Sequence, residues 1–423
     1  MPSNASDHRP STRGLPNDSS STDPLAFVGQ IATDGSLGSP LALLKRSSLE
    51  NNARWMRTFA ARYGVQIAPH GKTSMAPKIF RMQMEFGAKW LSVANVTQAR
   101  VARSAGCQYI LISNQVVNIH DLAYLARETA DDRFHAMCFV DSLEAVELLE
   151  RAMAAVPRTT KFPVLVEVGI PGGRAGVRHA EEALAIARRL KDSPYVSLAG
   201  VAGYEGVFTP KDPTAVGKVD AYLDELVNIA AAIDAEKSFG GDVIFLSAGG
   251  SKFFDRVAAI FTAAKFSKPT DVMLRCGCYL FHDVGIYEEA MGMLYARDLV
   301  AASLGKLVPA IEIWGQIQSI PEARRAIVDI GRRESSYDAG LPVPSLYARP
   351  GQAQPIRKLA GTSTARLNDQ HCFLDLADES PLRIGDLVGF DISHPCTVFD
   401  KWQGVYLVDD DYRILDFIQL EFA

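Results

Sequence analysis

The sequence predicts a (β/α)8 barrel followed by an antiparallel β domain. From about residue 65 to residue 296, eight short apolar runs alternate with eight amphipathic runs of helical length. Strict alternation is typical of parallel strands joined by crossover helices, and eight such units favour closure into a barrel. After residue 300 the helical periodicity gives way to β-prone runs separated by turns. On the count alone an open doubly wound sheet is the alternative, although no G-x-G-x-x-G follows the first strand.

The predicted barrel strands are short apolar runs, and several end at glycine or polar residues. They are VQIAP (65–69), WLSVA (90–94), YILIS (109–113), FHAMCFV (134–140), PVLVEVG (163–169), VSLAGVAGY (196–204), DVIFLSA (242–248) and DVMLRC (271–276). Helices are predicted at 77–86, 97–105, 118–129, 142–155, 179–191, 214–236, 251–264 and 284–296. Pro77 in a first turn, Ser142 as an N-cap, and Gly87 and Gly106 just past a last turn support these boundaries.

The β domain is predicted from five further runs, at 310–320, 325–331, 371–376, 386–392 and 405–422. The segment AFVGQIA (26–32) could add a strand to the same sheet. Residues 1–24 are rich in Ser, Pro, Asn and Asp and lack the apolar core of a signal peptide, which predicts a disordered arm. The expected organisation is an arm (1–24), a segment that joins the β domain (25–40), the barrel (41–298) and the β domain (299–423).

Composition narrows the class of function. The chain has 423 residues, 22% of them charged, and a net charge of -5, so it offers no basic surface for nucleic acid or an anionic membrane. No segment has the apolar length needed to span a bilayer. Its six cysteines, without secretory features, are expected to be thiols. We therefore expect a cytoplasmic protein that acts on a small molecule.

Candidate functional residues follow the predicted strands, where a barrel of this kind carries its chemistry. They are His70 and Lys72 after the first strand, Arg174 in GIPGGRAGV (169–177) after the fifth, Tyr204 at the end of the sixth, SAGGS (247–251) after the seventh and RCGCY (275–279) after the eighth. A lysine between a buried strand and a loop is costly to desolvate unless a partner or a covalent bond accounts for it. Taken singly, each of these residues is better explained as structural or solvent-facing, so the prediction depends on the set.

The glycine turns after the last two strands are predicted to bind a phosphate. Glycine lets the backbone approach closely, and a helix that opens at Ser251 would present free N–H groups. The candidates are Gly249, Gly250, Ser251, Gly277, Cys278 and Tyr279. Opposite a lysine that can react with a carbonyl, such a site fits pyridoxal 5′-phosphate.

A second candidate site lies near the C-terminus, in DISHPCTVFDKW (391–402). His394 and Cys396 are two residues apart, and imidazole with thiolate suits Zn²⁺. Two ligands do not close a tetrahedral site, so a metal here would keep positions open for water or substrate.

From about residue 40 to its end, the chain resembles the fold-type III pyridoxal-phosphate enzymes, and among them the D-serine dehydratase and D-threonine aldolase family. The motifs that carry the resemblance are PHGKT (69–73), GGRAGV (172–177), GYEG (203–206), SAGGS (247–251), GCYLFHD (277–283), NDQH (368–371) and HPCTVFD (394–400). The lysine motif and the H-x-C pair are specific, whereas the glycine turns are generic. The resemblance implies a barrel of the alanine racemase N-terminal type and a homodimer.

The resemblance also implies roles for single residues. They are Lys72 as the Schiff-base lysine, Arg174 beside the phenolic oxygen of the cofactor, Tyr204 near its ring, Gly249, Gly250, Gly277 and Cys278 at its phosphate, and His394 with Cys396 on a catalytic zinc. Where the family commonly has G-S-Y, this chain has Gly277-Cys278-Tyr279, which leaves backbone N–H groups as the donors there. The aldolases usually place Asp at the second metal position, so Cys396 favours a dehydratase.

The expected function is therefore a dehydratase, or deaminase, of D-3-hydroxyamino acids that depends on pyridoxal phosphate and zinc and turns D-serine into pyruvate and ammonia. Lys72 would remove the Cα proton, and zinc would help the 3-hydroxyl to leave. Two alternatives stay open: a metal-dependent D-threonine aldolase that releases glycine and an aldehyde, and a non-catalytic pyridoxal-phosphate-binding protein, against which the appended β domain counts. A racemase would need a second base, and the sequence identifies none.

Overall fold

The computed structural model of the chain describes residues 13–15, 23–209, 211–351 and 356–422. These residues form two compact units. The barrel unit comprises Asn52–Leu280 and Tyr287–Leu307, and the β unit comprises the described residues up to Asn51, Phe281–Ile286 and Val308–Phe422. Within these ranges no helix is both long enough and apolar enough to cross a membrane.

The strands and helices of the barrel follow one another along the chain in the order that the sequence predicts. The strands are β1 (Leu41–Lys45), β2 (Gln66–Ile67), β3 (Leu91–Val93), β4 (Tyr109–Gln115), β5 (His135–Val140), β6 (Phe162–Val168), β7 (Val196–Gly203), β8 (Ile244–Ala248), β9 (Thr270–Leu274), β10 (Ile311–Glu322), β11 (Arg325–Val328), β12 (Val343–Ala348), β13 (Arg357–Lys358), β14 (Ser363–Leu367), β15 (Cys372–Asp375), β16 (Leu387–Asp391), β17 (Gly404–Val408) and β18 (Ile414–Gln419). The α-helices are α1 (Arg46–Tyr63), α2 (Pro77–Glu85), α3 (Val96–Ser104), α4 (Ile119–Glu128), α5 (Leu143–Ala154), α6 (Ala180–Lys191), α7 (Ala215–Ala235), α8 (Phe254–Ala263), α9 (Ile286–Arg297), α10 (Leu299–Ser303) and α11 (Cys396–Phe399).

Strands β2 to β9 form the predicted parallel barrel, in the spatial order β2-β9-β8-β7-β6-β5-β4-β3. The last gap, between β2 and β3, is bridged just beyond β2, where His70 pairs with Ser92 and the Ser92 N–H donates to the Pro69 carbonyl at 3.0 Å. The barrel is therefore nearly closed, and the open doubly wound alternative is wrong.

Local signals set the helix boundaries as expected. The Ser142 hydroxyl accepts a hydrogen bond from the Ala145 N–H and caps α5. Gly87 and Gly106 adopt φ values of 100° and 96° just past α2 and α3, a left-handed conformation that favours glycine. One correction concerns α8, which begins at Phe254 rather than at Ser251, because residues 251–253 form a turn first.

The barrel interior is filled, so a ligand has to bind at its mouth. Side chains alternate across each strand, and the inward ones form an apolar layer of Trp90, Leu111, Met137, Phe139, Leu165 and Met273, all 5% exposed or less. Two residues further along the strands, the inward positions become polar: His70, Ser92, Glu167 and Arg275 follow Ala68, Trp90, Leu165 and Met273. The change from apolar to polar marks the floor of the mouth.

The β unit is built on a ten-stranded sheet in which β1 lies between β10 and β17. Almost all neighbours are antiparallel, as predicted, but β1 runs parallel to β17. The sequence missed β12, β13 and β14.

The N-terminal predictions need three corrections. The expected strand at 26–32 is instead a 3-10 helix, Pro24–Phe27, capped by Asp23, and Ile31 makes only an isolated bridge to Arg413. The strand that joins the β sheet is β1, so residues 41–51 belong to the β unit and not to the barrel. Part of the predicted disordered arm is ordered, since Arg13 donates to the carbonyl oxygens of Arg333 and Lys401 at 2.8 and 3.1 Å. The rest of that arm, 1–12 and 16–22, lies outside the described residues.

Candidate active site

Lys72 lies at the mouth of the barrel on a 3-10 turn, Gly71–Thr73, directly after β2. Its side chain is exposed, while both neighbours in the turn are buried. The turn ends in a strained conformation, because Met75 is a buried non-glycine residue with a φ of 45°. A hydrogen bond from the Met75 N–H to the Gly71 carbonyl, at 2.9 Å, closes this segment around the lysine.

His70 faces the polar floor of the mouth. Its Nδ1 is buried and has no hydrogen-bond partner within the described part of the chain. Burial lowers the pKa of His70 well below its ordinary value, and the positive charges of Lys72, Arg275 and Arg174 lower it further. The imidazole is therefore neutral at physiological pH. Lys72 and Arg174, which follow different strands, thus both act electrostatically on this ring.

The glycine turn after β9 packs directly against the lysine turn. A Cβ on Gly277 would lie 2.5 Å from the carbonyl oxygen of His70, so only glycine fits there. The Cys278 sulfur lies 3.6 Å from the Thr73 hydroxyl oxygen. Tyr279 is 3% exposed and its hydroxyl bonds to Gln83. Gly277 and Cys278 thus lie beside Lys72, whereas the ring of Tyr279 is a packing group.

The glycine turn after β8 is organised by Glu205, a residue that the sequence analysis quoted within GYEG but did not single out. Its fully buried carboxylate accepts the N–H of Gly249 at 2.9 Å and the N–H of Gly250 at 2.6 Å. Burial raises the pKa of Glu205, although the Gly249 N–H, Arg275 and the Gly250 N–H stabilise its charged form. Both predicted phosphate donors are engaged by this carboxylate, and Ser251 is the next residue of the turn.

Arg275 is a second residue that sequence reasoning missed. It is 7% exposed, and its guanidinium donates to the Ser247 hydroxyl at 2.7 Å and to the Gly203 carbonyl at 2.5 Å. Burial lowers its pKa, against the opposing charges of Glu205 and Glu167. Arg275 thereby ties together the ends of β7, β8 and β9. The signal in the sequence that could have identified Arg275 is a charged residue at an inward position at the end of β9, the last barrel strand.

Tyr204 and Arg174 are in contact. The Arg174 guanidinium carbon lies 4.8 Å from the centre of the Tyr204 ring, a cation–π geometry. The ring packs against two glycines, since a Cβ on Gly206 or on Gly250 would lie 2.4 or 2.8 Å from it. Burial, and then the charge of Glu205, raise the pKa of Tyr204.

The loop that carries Arg174 is held by Arg178, which the sequence analysis did not select. Residues Val168 and Val177 pair at the base of the loop. The Arg178 guanidinium donates to the four consecutive carbonyl oxygens of residues 173–176 at distances of 3.2, 2.8, 3.0 and 2.5 Å. This arginine fixes the backbone from which Arg174 projects.

The metal candidates lie in the β unit. The His394 Nδ1 lies 2.7 Å from Asp338 Oδ2, and the Thr397 hydroxyl donates to Asp338 Oδ1 at 2.7 Å. Hydrogen bonds with Cys396 and with Asp338 raise the pKa of His394 to about 9, against burial. Among the described residues no group of three or more His, Cys, Asp or Glu side chains is arranged to hold a metal. Within the described residues the pair is therefore an open site at most.

The chemistry of the donors fits Zn²⁺. The imidazole and the thiol are in hydrogen-bond contact with each other. Because Nδ1 faces a carboxylate, Nε2 is the ring nitrogen that a metal would occupy in place of a proton. Of this arrangement, the sequence indicated the pair but not Asp338.

The mouth residues also fit pyridoxal phosphate. They offer an exposed amine on Lys72, a guanidinium on Arg174 at the end of another strand, and backbone at Gly277 too closely packed for a Cβ. Sequence reasoning thus pointed to this end of the barrel but did not single out the groups that shape it: the buried Glu205 and Arg275, and the half-buried Arg178.

A nearly closed parallel barrel with these residues at its mouth, in a chain with a second unit of β structure, defines the class of fold-type III pyridoxal-phosphate enzymes. Comparison with known proteins places the chain within that class. Residues 44–282 match the family "Alanine racemase, N-terminal domain", and residues 310–408 match the family "Putative serine dehydratase domain". The chain therefore belongs to the alanine racemase N-terminal domain family, and the predicted resemblance is confirmed.

Its relatives are lyases of D-hydroxyamino acids. The chain is 26% identical to a D-threonine aldolase of Arthrobacter sp. over 402 residues, which cover 94% of this chain and 93% of the relative. It is 25% identical to the D-threo-3-hydroxyaspartate dehydratase of Delftia sp. (strain HT23) over 356 residues, covering 81% and 84%.

Solved structures share the fold. The D-threonine aldolase from Filomicrobium marinum superposes with a TM-score of 0.74 at 22% identity, covering 91% of this chain and 95% of that one. The Delftia dehydratase superposes with a TM-score of 0.69 at 20% identity, covering 92% and 99%. Two structures of that dehydratase are of variants that replace a histidine and a cysteine two positions apart, and the cysteine variant is described as in the metal-free form.

Proposed function

We propose that this chain is a dehydratase of D-3-hydroxyamino acids that depends on pyridoxal phosphate and zinc, with D-serine as the first substrate to test. The observation that carries the proposal is the His394–Cys396 contact in the β unit of a chain whose barrel presents Lys72. A histidine and a cysteine with the same spacing were replaced in the Delftia dehydratase, which supports the assignment.

Pyridoxal phosphate would be held by Lys72, Arg174, Tyr204 and the backbone of the turn at Gly277, because Glu205 already accepts the N–H groups of Gly249 and Gly250. When bound, the cofactor supplies a carbonyl for the substrate amine and a ring that takes up negative charge from Cα. Lys72 Nζ is exposed at the mouth and would accept the Cα proton. The neighbouring His70 is neutral, so it adds no charge that would compete for substrate anions.

His394 Nε2 and Cys396 Sγ would hold zinc, which when bound acts as a Lewis acid for the 3-hydroxyl of the substrate. Proton removal at Cα and loss of the hydroxyl at Cβ together release water. The enamine that leaves then adds water and loses ammonia. From D-serine the net products are pyruvate and ammonia, with no oxidant or reductant required.

The test is product formation from D-serine, D-threonine and D-threo-3-hydroxyaspartate by zinc-loaded protein and by the same sample after chelation. We expect keto acid and ammonia, lost on chelation and restored by zinc. Cofactor absorbance without any product from these substrates would contradict the proposal and favour a non-catalytic carrier.

A D-threonine aldolase is the second candidate function. The specific observation in its favour is the similarity to the Arthrobacter aldolase, whose alignment covers 94% of this chain at 26% identity. Under this alternative the same residues would cleave Cα–Cβ, and D-threonine would give glycine and acetaldehyde. Detection of acetaldehyde without keto acid would decide for the aldolase.

We also propose that the chain acts as a homodimer. The loops that follow the barrel strands expose apolar side chains, with Val117, Ile119 and Val207 57%, 70% and 41% exposed. Val117 and Ile119 lie close together in the chain after β4, and we take them as part of the interface. Sedimentation equilibrium should give twice the mass of the chain, and a monomer at micromolar concentration would contradict the proposal.

A further inference from the structure

Asp338 contacts the ring of His394, one of the two proposed metal ligands. Its two carboxylate oxygens have different partners: Oδ2 lies 2.7 Å from His394 Nδ1, and Oδ1 accepts the Thr397 hydroxyl at 2.7 Å. The Thr397 hydroxyl also contacts the His394 carbonyl, at 3.3 Å. Thr397 therefore orients the carboxylate of Asp338, and the carboxylate in turn orients the ring of His394.

The backbone around His394 is held from the same loop. The His394 N–H donates to the Ser336 hydroxyl at 3.3 Å, and the Ser393 hydroxyl donates to the Gly340 carbonyl at 2.7 Å. Residues 336–340 thus position both the main chain and the ring of His394. The Asp338 side chain is 46% exposed, so its contact with the ring is not forced by packing.

We propose that Asp338, with Thr397 behind it, is a positioning residue that selects the Nδ1–H tautomer of His394 and so sets the metal affinity of the His394–Cys396 pair. A carboxylate accepts and does not donate, so it holds the proton at Nδ1 and leaves Nε2 for the metal. A histidine ligand whose second nitrogen is held by a carboxylate is a stronger and better oriented donor. The inference rests on the zinc assignment in the proposed function.

The test measures zinc affinity directly, by competition with a chromophoric chelator on full-length protein that retains its cofactor. We expect Asp338→Ala to weaken zinc binding by about 10- to 100-fold, and Asp338→Asn to weaken it less because an amide oxygen can still accept from Nδ1. Thr397→Val should weaken binding by a smaller factor. In the Asp338→Ala background it should add nothing, because it acts through the carboxylate.

Asp378→Asn is the matched control. Asp378 lies in the same unit, has a side chain that is 82% exposed and pairs only with Arg324 among the ion pairs of the described residues. Its replacement should leave zinc affinity unchanged. Cobalt substitution gives an independent readout, since the thiolate charge-transfer band should persist in Asp338→Ala at saturating metal, while the cobalt dissociation constant rises.

The outcomes separate the two claims. If the unmodified protein binds no zinc, the metal assignment in the proposed function fails. If it binds zinc and Asp338→Ala binds equally tightly, the metal assignment stands and the role of Asp338 is overturned. Unfolding midpoints measured with chelator present identify a variant that has merely lost its fold.

Discussion

Glu205 shows how one buried side chain shapes the barrel mouth. Its carboxylate accepts both the Gly249 and the Gly250 N–H. In Glu205→Gln one amide oxygen remains and an NH2 group faces a backbone N–H, so one donor loses its partner. Hydrogen bonds to charged groups contribute about 1.5–3 kcal/mol, and we expect a loss of that size in the free energy of unfolding. Urea denaturation measures it, and cofactor titration should show weaker binding.

Glu181→Gln is the control for this variant, because the Glu181 side chain is 82% exposed on helix α6. It should leave both measurements unchanged. Equal stability and equal cofactor affinity in Glu205→Gln would mean that the turn keeps its shape without the carboxylate.

His70 predicts a dependence of stability on pH. Its pKa in the folded protein lies well below 6.5, the value expected in the unfolded chain. Between those two values the unfolded state binds more protons, so the free energy of unfolding falls as the pH falls below 6.5 and is unaffected by His70 above it. His70→Asn should remove up to about 1.4 kcal/mol per pH unit from that slope.

The measurement is denaturant unfolding at several pH values between 5 and 7.5. The control is His120→Asn, since His120 is exposed on α4 and its replacement should leave the slope unchanged. Parallel curves for the unmodified protein and His70→Asn would mean that His70 takes up its proton in the folded state as well.

At the scale of elements, Arg178 makes the loop at 169–177 a defined structure. Arg178→Met removes four hydrogen bonds to consecutive carbonyl oxygens. We expect a loss of about 1–3 kcal/mol in stability, faster proteolysis within the loop and weaker cofactor binding, because Arg174 loses its support. Arg188→Met, which removes the ion pairs that this residue of α6 makes with Glu181 and Glu236 away from the loop, is the control. An unchanged rate of proteolysis in Arg178→Met would show that the glycines alone determine the conformation of the loop.

The barrel elements could be predicted because each carries its own local signal. All eight strands and the eight helices that follow them were found, since apolar runs alternate with amphipathic ones and caps such as Ser142 mark the boundaries. The edge of the barrel at which Lys72 and Arg174 lie follows from chain direction alone, because parallel strands end on the same side.

The features that the sequence did not predict depend on contacts between residues that are distant in the chain. Strand β1, LALLK, is four apolar residues and a lysine, and its partners lie beyond the whole barrel sequence, so nothing local assigns it to the β unit. The contact of Asp338 is with His394, 56 positions later, so the sequence around Asp338 does not reveal it. Glu205 and Arg178 act on backbone groups, which leave no mark in the sequence.

At the scale of the whole molecule, the candidate sites are divided between the two units. All proposed cofactor residues lie within Asn52–Leu280, and the proposed metal ligands lie within Val308–Phe422. We therefore expect His394→Ala, Cys396→Ala and chelation to leave cofactor content unchanged. Each should lower turnover of a 3-hydroxyamino acid by at least about 100-fold, because Lewis-acid assistance is worth several kcal/mol.

Cofactor absorbance and zinc analysis on the same samples provide the check. Lys72→Ala serves as the reciprocal variant, which should lose the imine absorbance and keep its zinc. Loss of cofactor in His394→Ala would mean that the two functions are coupled.

The position of β1 bears on how the chain is assembled. This strand is made early, yet its neighbours β10 and β17 are made only after the barrel sequence has been completed. Strand β1 therefore has to wait for β10 before it gains its first partner, and for β17 before it gains its second. Completing the pairing of β1 is therefore a late event. Deleting β1, or β17 together with β18, would leave strands of the sheet without a partner. Their unpaired backbone N–H and C=O groups would promote aggregation.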